Sequence, residues 1–218
     1  MTDFNNIPLI VPDKNVDVKN AIVFLHGYGA NGKDLINIGH EWRDKLKNTV
    51  FISPNAPFNC DWGGDAYQWF DLTSTAPEKI GEGLEKAGPY LNKFIDDLTV
   101  NFSLKDDKII FFGFSQGAMM GLYHWCKRKR KCAGLLAYSG LLFGNQKFAS
   151  EIKSKFPVRI FHGRNDEVID SQNSVRSKDK LISLGFKVDL KIQDNLGHGI
   201  DNTGLDFALD FIKDILDV

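Results

Sequence analysis

The stretch KIIFFGFSQGAMM (Lys108–Met120) gives the strongest indication of the fold of this chain. It begins with a run of apolar strand formers, Ile109–Phe112, continues as GFSQG (Gly113–Gly117), and then follows a helical pattern. A strand, a tight turn with a serine at its tip and a helix form the signature of a nucleophile elbow. Such a turn strains the serine backbone, and glycines beside it avoid collisions. We therefore predict that Ser115 is a nucleophile at the end of a sheet, next to the first amides of a helix.

Size and composition restrict the class of protein. The chain has 218 residues, which suits a single domain over residues 1–218. Its formal net charge of -1 argues against a nucleic-acid binder, which usually has a basic excess. The basic run KRKRK (Lys127–Lys131) falls where the helix after Ser115 should end, so we interpret it as a solvated helix terminus.

Cysteine usage and the N-terminus indicate where the protein is found. Three cysteines without a CxxC pair, Cys60, Cys126 and Cys132, are typical of a reducing compartment. The N-terminal sequence MTDFNNIPLI lacks the basic start and apolar stretch of a signal peptide, and no apolar run approaches the ~20 residues that span a bilayer. We predict a cytoplasmic protein. The oligomeric state stays open, with a homodimer among the alternatives.

Strand-like and helix-like patterns alternate along the chain. The apolar runs that indicate strands are Ala21–Leu25, Val50–Ser53, Ile109–Phe112, Ala133–Tyr138, Val158–Phe161 and Phe186–Ile192. Amphipathic patterns of helical period separate most of them, which predicts an α/β fold with a mostly parallel, twisted sheet and helices on both faces. In such folds the functional residues gather at the carboxyl ends of the strands.

A serine nucleophile needs a base, and the chain has five histidines. His198 lies between two glycines, in a loop after the last predicted strand and before the last predicted helix, where an imidazole can reach across the sheet. His26 follows a strand directly and is expected to brace its own loop, His40 and His124 lie in helical patterns, and His162 ends a strand. We predict that His198 is the base.

The base in turn needs a carboxylate that fixes its tautomer. Asp166 lies in the loop after a strand, between Ser115 and His198 in the chain, and this loop should open on the same rim as the serine. Asp170 and Asp194 are the alternatives, but Asp170 is expected to cap a helix and Asp194 to end a strand. The order serine, aspartate, histidine is that of α/β-hydrolases.

Negative charge on an attacked carbonyl needs hydrogen-bond donors already in place. We assign these to the amide of Gln116, directly after the serine, and to the amide of Tyr28, where Gly27 lets the chain turn. The alternatives for the Gly27 loop are a simple tight turn or a phosphate cradle. The loop lacks the lysine and hydroxyl residue of a P-loop, which argues against phosphate.

An aromatic segment, Trp62–Phe70, falls in a long stretch without periodicity. Long ordered loops of this kind are usually functional. One hypothesis makes the segment a mobile lid or a peripheral membrane contact. The other, which we favour, packs its rings against the wall of the pocket.

Seven sequence pieces resemble one family in order along nearly the whole chain. They are FLHGYGANGKDL (Phe24–Leu35), SPNAP (Ser53–Pro57), WFDL (Trp69–Leu72), GFSQGAMM (Gly113–Met120), YSG (Tyr138–Gly140), HGRNDEVI (His162–Ile169) and GHG (Gly197–Gly199). The family is that of the small α/β-hydrolases that comprises carboxylesterases, lysophospholipases and acyl-protein thioesterases.

The resemblance implies a function and a set of site residues. It implies that Ser115, Asp166 and His198 form a catalytic triad, and that an acyl-binding groove near the serine is lined by Trp69 and Val168. The expected activity is hydrolysis of carboxylic esters or thioesters of apolar acyl groups through an acyl-enzyme, with no metal and no organic cofactor. The alternative is a non-catalytic α/β-hydrolase-fold protein that senses a ligand or lipid.

Overall fold

A computed structural model describes residues 2–61, 63–74, 76–144 and 147–216. The strands are β1 (Leu9–Ile10), β2 (Asn20–Leu25), β3 (Thr49–Ile52), β4 (Phe58–Asn59), β5 (Tyr67–Gln68), β6 (Ile109–Phe114), β7 (Gly134–Tyr138), β8 (Val158–Gly163) and β9 (Val188–Gln193). The α-helices are α1 (Gly32–Trp42), α2 (Pro77–Asn101), α3 (Gln116–His124), α4 (Phe148–Glu151), α5 (Gln172–Ser183) and α6 (Asn202–Leu216).

The main sheet confirms the predicted mostly parallel arrangement. Its strand order is β1-β3-β2-β6-β7-β8-β9, and only the edge pair β1 and β3 is antiparallel. Strand β6 lies beside β2 and β7 near the middle of the sheet. Because parallel strands end at the same edge, the loops after β2, β6, β8 and β9 open on one rim.

Helices cover both faces of the sheet, as the sequence predicts. Alternate residues of β2 point to opposite faces: Val23 and Leu25 pack in the cluster that contains α2 and α3, whereas Ile22 and Phe24 pack in the cluster that contains α1 and α6. Helix α5 joins the first cluster through Leu181. All six residues of β2 are buried, which explains its continuous apolar run.

Helix α2 continues through Pro89, where the sequence suggested a kink or a restart. It lies very close to α3, because a Cβ atom added at Gly88 would be 2.2 Å from Cε1 of His124. This close approach of the two helices fixes α3, the helix that follows Ser115. Among the described residues, no helix is long and apolar enough to cross a bilayer.

The aromatic segment between β3 and α2 contains the hairpin β4–β5 and is tied to the loop after β2. The Tyr67 amide donates to the Ala30 carbonyl over 2.9 Å, and the Tyr67 carbonyl accepts from the Gly29 amide over 2.9 Å. Trp69 and Phe70 are 2% and 1% exposed. These two rings are buried in the protein, and Trp62 lies outside the described residues. That the segment packs against the wall of the pocket stays a prediction.

Candidate active site

Ser115 is the single residue between β6 and α3. Its backbone has φ 53° and ψ −115°, a strained conformation for a residue with a side chain. The amide of Ser115 donates to the Tyr138 carbonyl on the neighbouring strand over 2.8 Å, and its carbonyl accepts from the Met119 amide over 3.1 Å. Both bonds hold the turn in place, as in the predicted nucleophile elbow.

The two glycines of the turn are required by close backbone contacts. A Cβ atom at Gly113 would lie 2.6 Å from the backbone of Ala118, and one at Gly117 would lie 2.0 Å from the Leu25 carbonyl oxygen. Neither contact can be relieved by a side-chain rotation, because both neighbouring groups are main chain. The elbow needs glycine at these two positions because α3 packs tightly onto β6 and β2.

Asp166, in the loop after β8, binds His198, in the loop after β9. The Nδ1 atom of His198 is 2.7 Å from Oδ2 of Asp166. The other carboxylate oxygen, Oδ1, accepts from the amides of Val168 and Ile169 over 2.9 and 2.8 Å. Asp166 is 8% exposed, so these partners replace water around a buried charge.

The pKa of the Asp166 carboxyl lies below its ordinary value. Burial acts to raise this pKa, but the hydrogen bonds from the Ile169 amide, from His198 and from the Val168 amide lower it by more. Asp166 is therefore ionised at neutral pH and can stabilise a positive charge on His198.

The other two candidate carboxylates are engaged elsewhere. Oδ1 of Asp170 accepts from the Gln172 amide over 2.8 Å at the start of α5, as expected for a capping residue. Asp194 forms an exposed ion pair with Arg164. The structure thus brings Asp166, and neither alternative, to His198.

Ser115 and His198 line the same cavity. The ring of His198 lies against Phe114, with the ring centroids 5.0 Å apart, on the residue just before the serine. Within the described part of the chain, the Ser115 hydroxyl and His198 form no hydrogen bond. Such bonds are commonly long in unliganded enzymes and shorten when substrate binds.

The two predicted amide donors flank Ser115. Gln116 is the first residue of α3, so the helix itself does not use its amide. The loop after β2 lies directly against the serine, because a Cβ atom at Gly27 would be 3.3 Å from the Cβ atom of Ser115. Tyr28, the next residue, lines the cavity together with Gln116.

Trp69 connects these two donor segments, a role that the sequence did not indicate. Its indole Nε1 donates to the His26 carbonyl over 3.0 Å, and its amide donates to Oε1 of Gln116 over 2.7 Å. The Gln116 side chain also donates to the Phe70 carbonyl over 2.6 Å. The loop after β2 and the start of α3 are therefore joined through one buried tryptophan.

His26 braces the same loop, as the sequence suggested. Its Nε2 accepts from the Ala56 amide over 2.9 Å, so the proton of the neutral ring is on Nδ1, which donates to the Gly27 carbonyl over 2.7 Å. Burial lowers the pKa of His26, although the bond to Gly27 acts to raise it. This histidine is a neutral support for the loop.

The cavity at Ser115 has a volume of about 710 Å³ and a mostly apolar wall. Apolar side chains from several parts of the chain contribute to it, among them Leu72, Ile80, Met119, Leu141, Phe143 and Val168. This size is within the range of small-molecule binding pockets. The cavity can accept an apolar group with a reactive carbonyl at the serine.

The two predicted pocket residues have different positions. Val168 lines the cavity and is 71% exposed, so it lies at the rim. Trp69 does not line it. Trp69 instead lines a second cavity between the N-terminal segment and α2, and its indole N–H donates to the His26 carbonyl. The structure thus places Trp69 behind the loop after β2, which it supports, and not in the acyl groove where it was expected.

Comparisons with known proteins identify the family and the fold. A family model described as phospholipase/carboxylesterase matches residues 5–216. Acyl-protein thioesterase 1 of Neurospora crassa is 28% identical, with 96% of this chain and 91% of the relative covered. The crystal structure of esterase PE8 matches with a TM-score of 0.91 and 38% identity, over 96% of this chain and 98% of that chain. Acyl-protein thioesterase 2 of Zea mays matches in fold, with a TM-score of 0.73 and 24% identity over 95% and 97% of the two chains.

Proposed function

The chain belongs to the phospholipase/carboxylesterase family, and we propose that it is a serine hydrolase that cleaves carboxylic esters or thioesters of apolar acyl groups through an acyl-enzyme on Ser115. The predicted α/β-hydrolase fold is confirmed by the sheet topology and by the match to an esterase structure. Curated acyl-protein thioesterases among the relatives support the ester and thioester chemistry.

The first half of the reaction forms the acyl-enzyme. Nδ1 of His198 is held by Asp166, so Nε2 is left to take the proton of the Ser115 hydroxyl as the oxygen attacks the carbonyl carbon. The amides of Gln116 and Tyr28 stabilise the negative oxygen of the tetrahedral intermediate. The intermediate collapses, the bond to the alcohol or thiol breaks, and the leaving group takes the proton from His198.

The second half releases the acid. Water gives a proton to His198 and attacks the acyl carbon, and the same two amides stabilise the second oxyanion. Ser115 then leaves with the proton from His198. Asp166 remains ionised throughout and stabilises the imidazolium that forms twice in the cycle.

One observation carries the proposal. His198, held by Asp166 over 2.7 Å, lines an apolar cavity together with Ser115, a serine with a strained backbone. The apolar wall favours acyl groups over polar ones, because burying apolar surface stabilises the complex by about 25 cal/mol per Å².

The test is turnover of a series of p-nitrophenyl esters and matched acyl thioesters of increasing chain length. We expect turnover that rises with acyl length until the cavity is filled, and loss of turnover in Ser115→Ala. Ser139→Ala is the matched control, since Ser139 is another buried serine with a positive φ, 47°, but does not line the cavity.

The alternative function, a non-catalytic ligand or lipid sensor, predicts a different result. In that case the protein binds apolar acyl compounds but turns over none of the series, and a fluorophosphonate probe leaves it unlabelled. Either turnover that persists in Ser115→Ala or a complete lack of turnover in the parent contradicts the proposal.

A further inference from the structure

The Asp166 carboxylate binds a second histidine that the proposed mechanism does not use. His162 lies in β8 and is fully buried. Its Nε2 is 2.9 Å from Oδ2 of Asp166, the same oxygen that binds Nδ1 of His198 at 2.7 Å. Two imidazoles, one on β8 and one in the loop after β9, therefore share one carboxylate oxygen.

The hydrogen bonds of His162 require a proton on its Nε2 atom. Its Nε2 faces two acceptors, Oδ2 of Asp166 and the Ile169 carbonyl at 2.8 Å, so Nε2 must carry a proton. Its Nδ1 is 2.7 Å from Oγ of Ser174, and that hydroxyl lies 3.3 Å from the Gly140 carbonyl. The ring is thus held at Nδ1 by α5 and donates at Nε2 to the carboxylate.

The carboxylate of Asp166 is saturated by four donors. The amides of Val168 and Ile169 bind Oδ1, and the two histidines bind Oδ2. A carboxylate has about four lone-pair sites, so no site is left for water and rotation of the group would break several bonds. The position of Oδ2, and hence of His198, depends on His162.

We propose that His162 is a positioning residue of the hydrolase: it holds Oδ2 of Asp166 where His198 needs it and takes part of the charge of that oxygen. This inference rests on the function proposed above. It assigns to His162 a role in tuning the base as well as in packing.

The environment of His162 leaves few other causes for a pH effect. Among the described residues, Asp166 is the only ionisable side chain that forms a hydrogen bond or ion pair with His162, and His198 lies across the shared oxygen. Helix α5 contributes the hydroxyl of Ser174, and the paired position on β9 is the apolar Ile192. A shift in the pH profile of a His162 variant therefore reflects a change at the Asp166 carboxylate.

The experiment compares His162→Leu with His162→Gln in kcat/KM for a p-nitrophenyl ester from pH 5 to 9, and in the rate of labelling by a fluorophosphonate. Leucine removes the donor, whereas the glutamine amide nitrogen can take the place of Nε2. Removing the donor leaves more charge on Oδ2 to stabilise imidazolium. For His162→Leu we expect kcat/KM to fall about 10-fold to 100-fold. The acid limb of the plot of kcat/KM against pH should move to higher pH by about half to one unit.

The His162→Gln variant should keep the acid limb of the parent. Melting curves followed by circular dichroism show which variants are folded. A folded His162→Leu with the limb of the parent overturns the inference. If His162→Leu does not fold, Ser174→Ala replaces it, since the ring then loses the hydrogen bond at Nδ1 that holds Nε2 against Oδ2. A smaller upward shift then supports the inference, and no shift overturns it. An unlabelled and inactive parent instead contradicts the proposed function.

Discussion

The indole nitrogen of Trp69 lies 3.0 Å from the carbonyl oxygen of His26, and this bond joins the aromatic segment to the loop that carries Tyr28. Trp69→Phe removes the N–H and keeps most of the ring. We expect the free energy of unfolding to fall by about 1 kcal/mol and kcat to fall about two-fold to ten-fold, because the donor amide loses its support. Urea unfolding and steady-state kinetics measure the two effects.

The matched control for that variant is Trp125→Phe. The indole N–H of Trp125 is buried and has no hydrogen-bond partner among the described residues, so its removal costs no bond. An equal loss of kcat in both variants would show that Trp69 acts only through packing.

Asp166→Asn keeps the size of the side chain but removes the charge that stabilises imidazolium. We expect kcat to fall by about 10³-fold to 10⁴-fold with little change in KM, as for other aspartates that orient a catalytic histidine. Asp194→Asn is the control, because Asp194 pairs with Arg164 on the surface. If the two variants had similar kcat values, Asp166 would not be the partner of the base.

The lowered pKa of Asp166 should make the free energy of unfolding depend on pH. The pKa of Asp166 is lower in the folded chain than the ordinary ~3.9 of an unfolded one, since its hydrogen bonds outweigh burial. Its contribution to stability is therefore present above about pH 4 and is lost as the pH falls through the folded pKa. Urea unfolding at pH 7 and pH 3 should show that Asp166→Asn is less stable than the parent at pH 7 and that the gap narrows at pH 3. A constant gap would contradict this assignment.

The local sequence signals predicted much of the site. The glycines beside Ser115 report a tight turn, and the shared rim of a parallel sheet predicts that loops after different strands meet. The structure does bring Asp166 to His198 and the Gly27 loop to the serine. These features could be predicted because each depends on a short stretch and on a general rule of topology.

The contacts that the sequence did not predict are long-range. Trp69 and Gln116 are 47 residues apart and meet only because the aromatic segment folds over the start of α3. The sequence favours His198 over His162 as the base, and nothing in the order of residues shows that one oxygen binds both rings. Neither tautomers nor shared acceptors can be read from spacing.

The basic run after α3 shows the same limit. The sequence predicts a solvated helix terminus, yet the side chains of Lys127 and Arg128 are 14% and 12% exposed. Lys127 pairs with Glu85, and Arg128 pairs with Asp96. Glu85 and Asp96 lie on α2, and the further partners are Glu151 on α4 for Lys127 and Asp106, just before β6, for Arg128. The charges therefore serve helix packing, and the interpretation of a solvated terminus is wrong for these two residues.

The cysteines should be unreactive in the folded protein. Burial raises the pKa of the Cys126 thiol to about 12 and also raises those of Cys60 and Cys132. At pH 8 a thiol with that pKa is ionised in about one molecule in ten thousand. We expect Ellman's reagent to react slowly with native protein and with all three thiols in guanidinium chloride. Rapid reaction of the native protein would contradict the burial of these side chains.

The most direct test of the whole account is labelling by a fluorophosphonate followed by mass mapping of the modified peptide. The account predicts one label per chain, on Ser115, lost in Ser115→Ala and slowed by at least about 10³-fold in His198→Gln, because the serine then lacks its base. A parent protein that stays unlabelled, a label on another residue, or a labelling rate that His198→Gln leaves unchanged would contradict it.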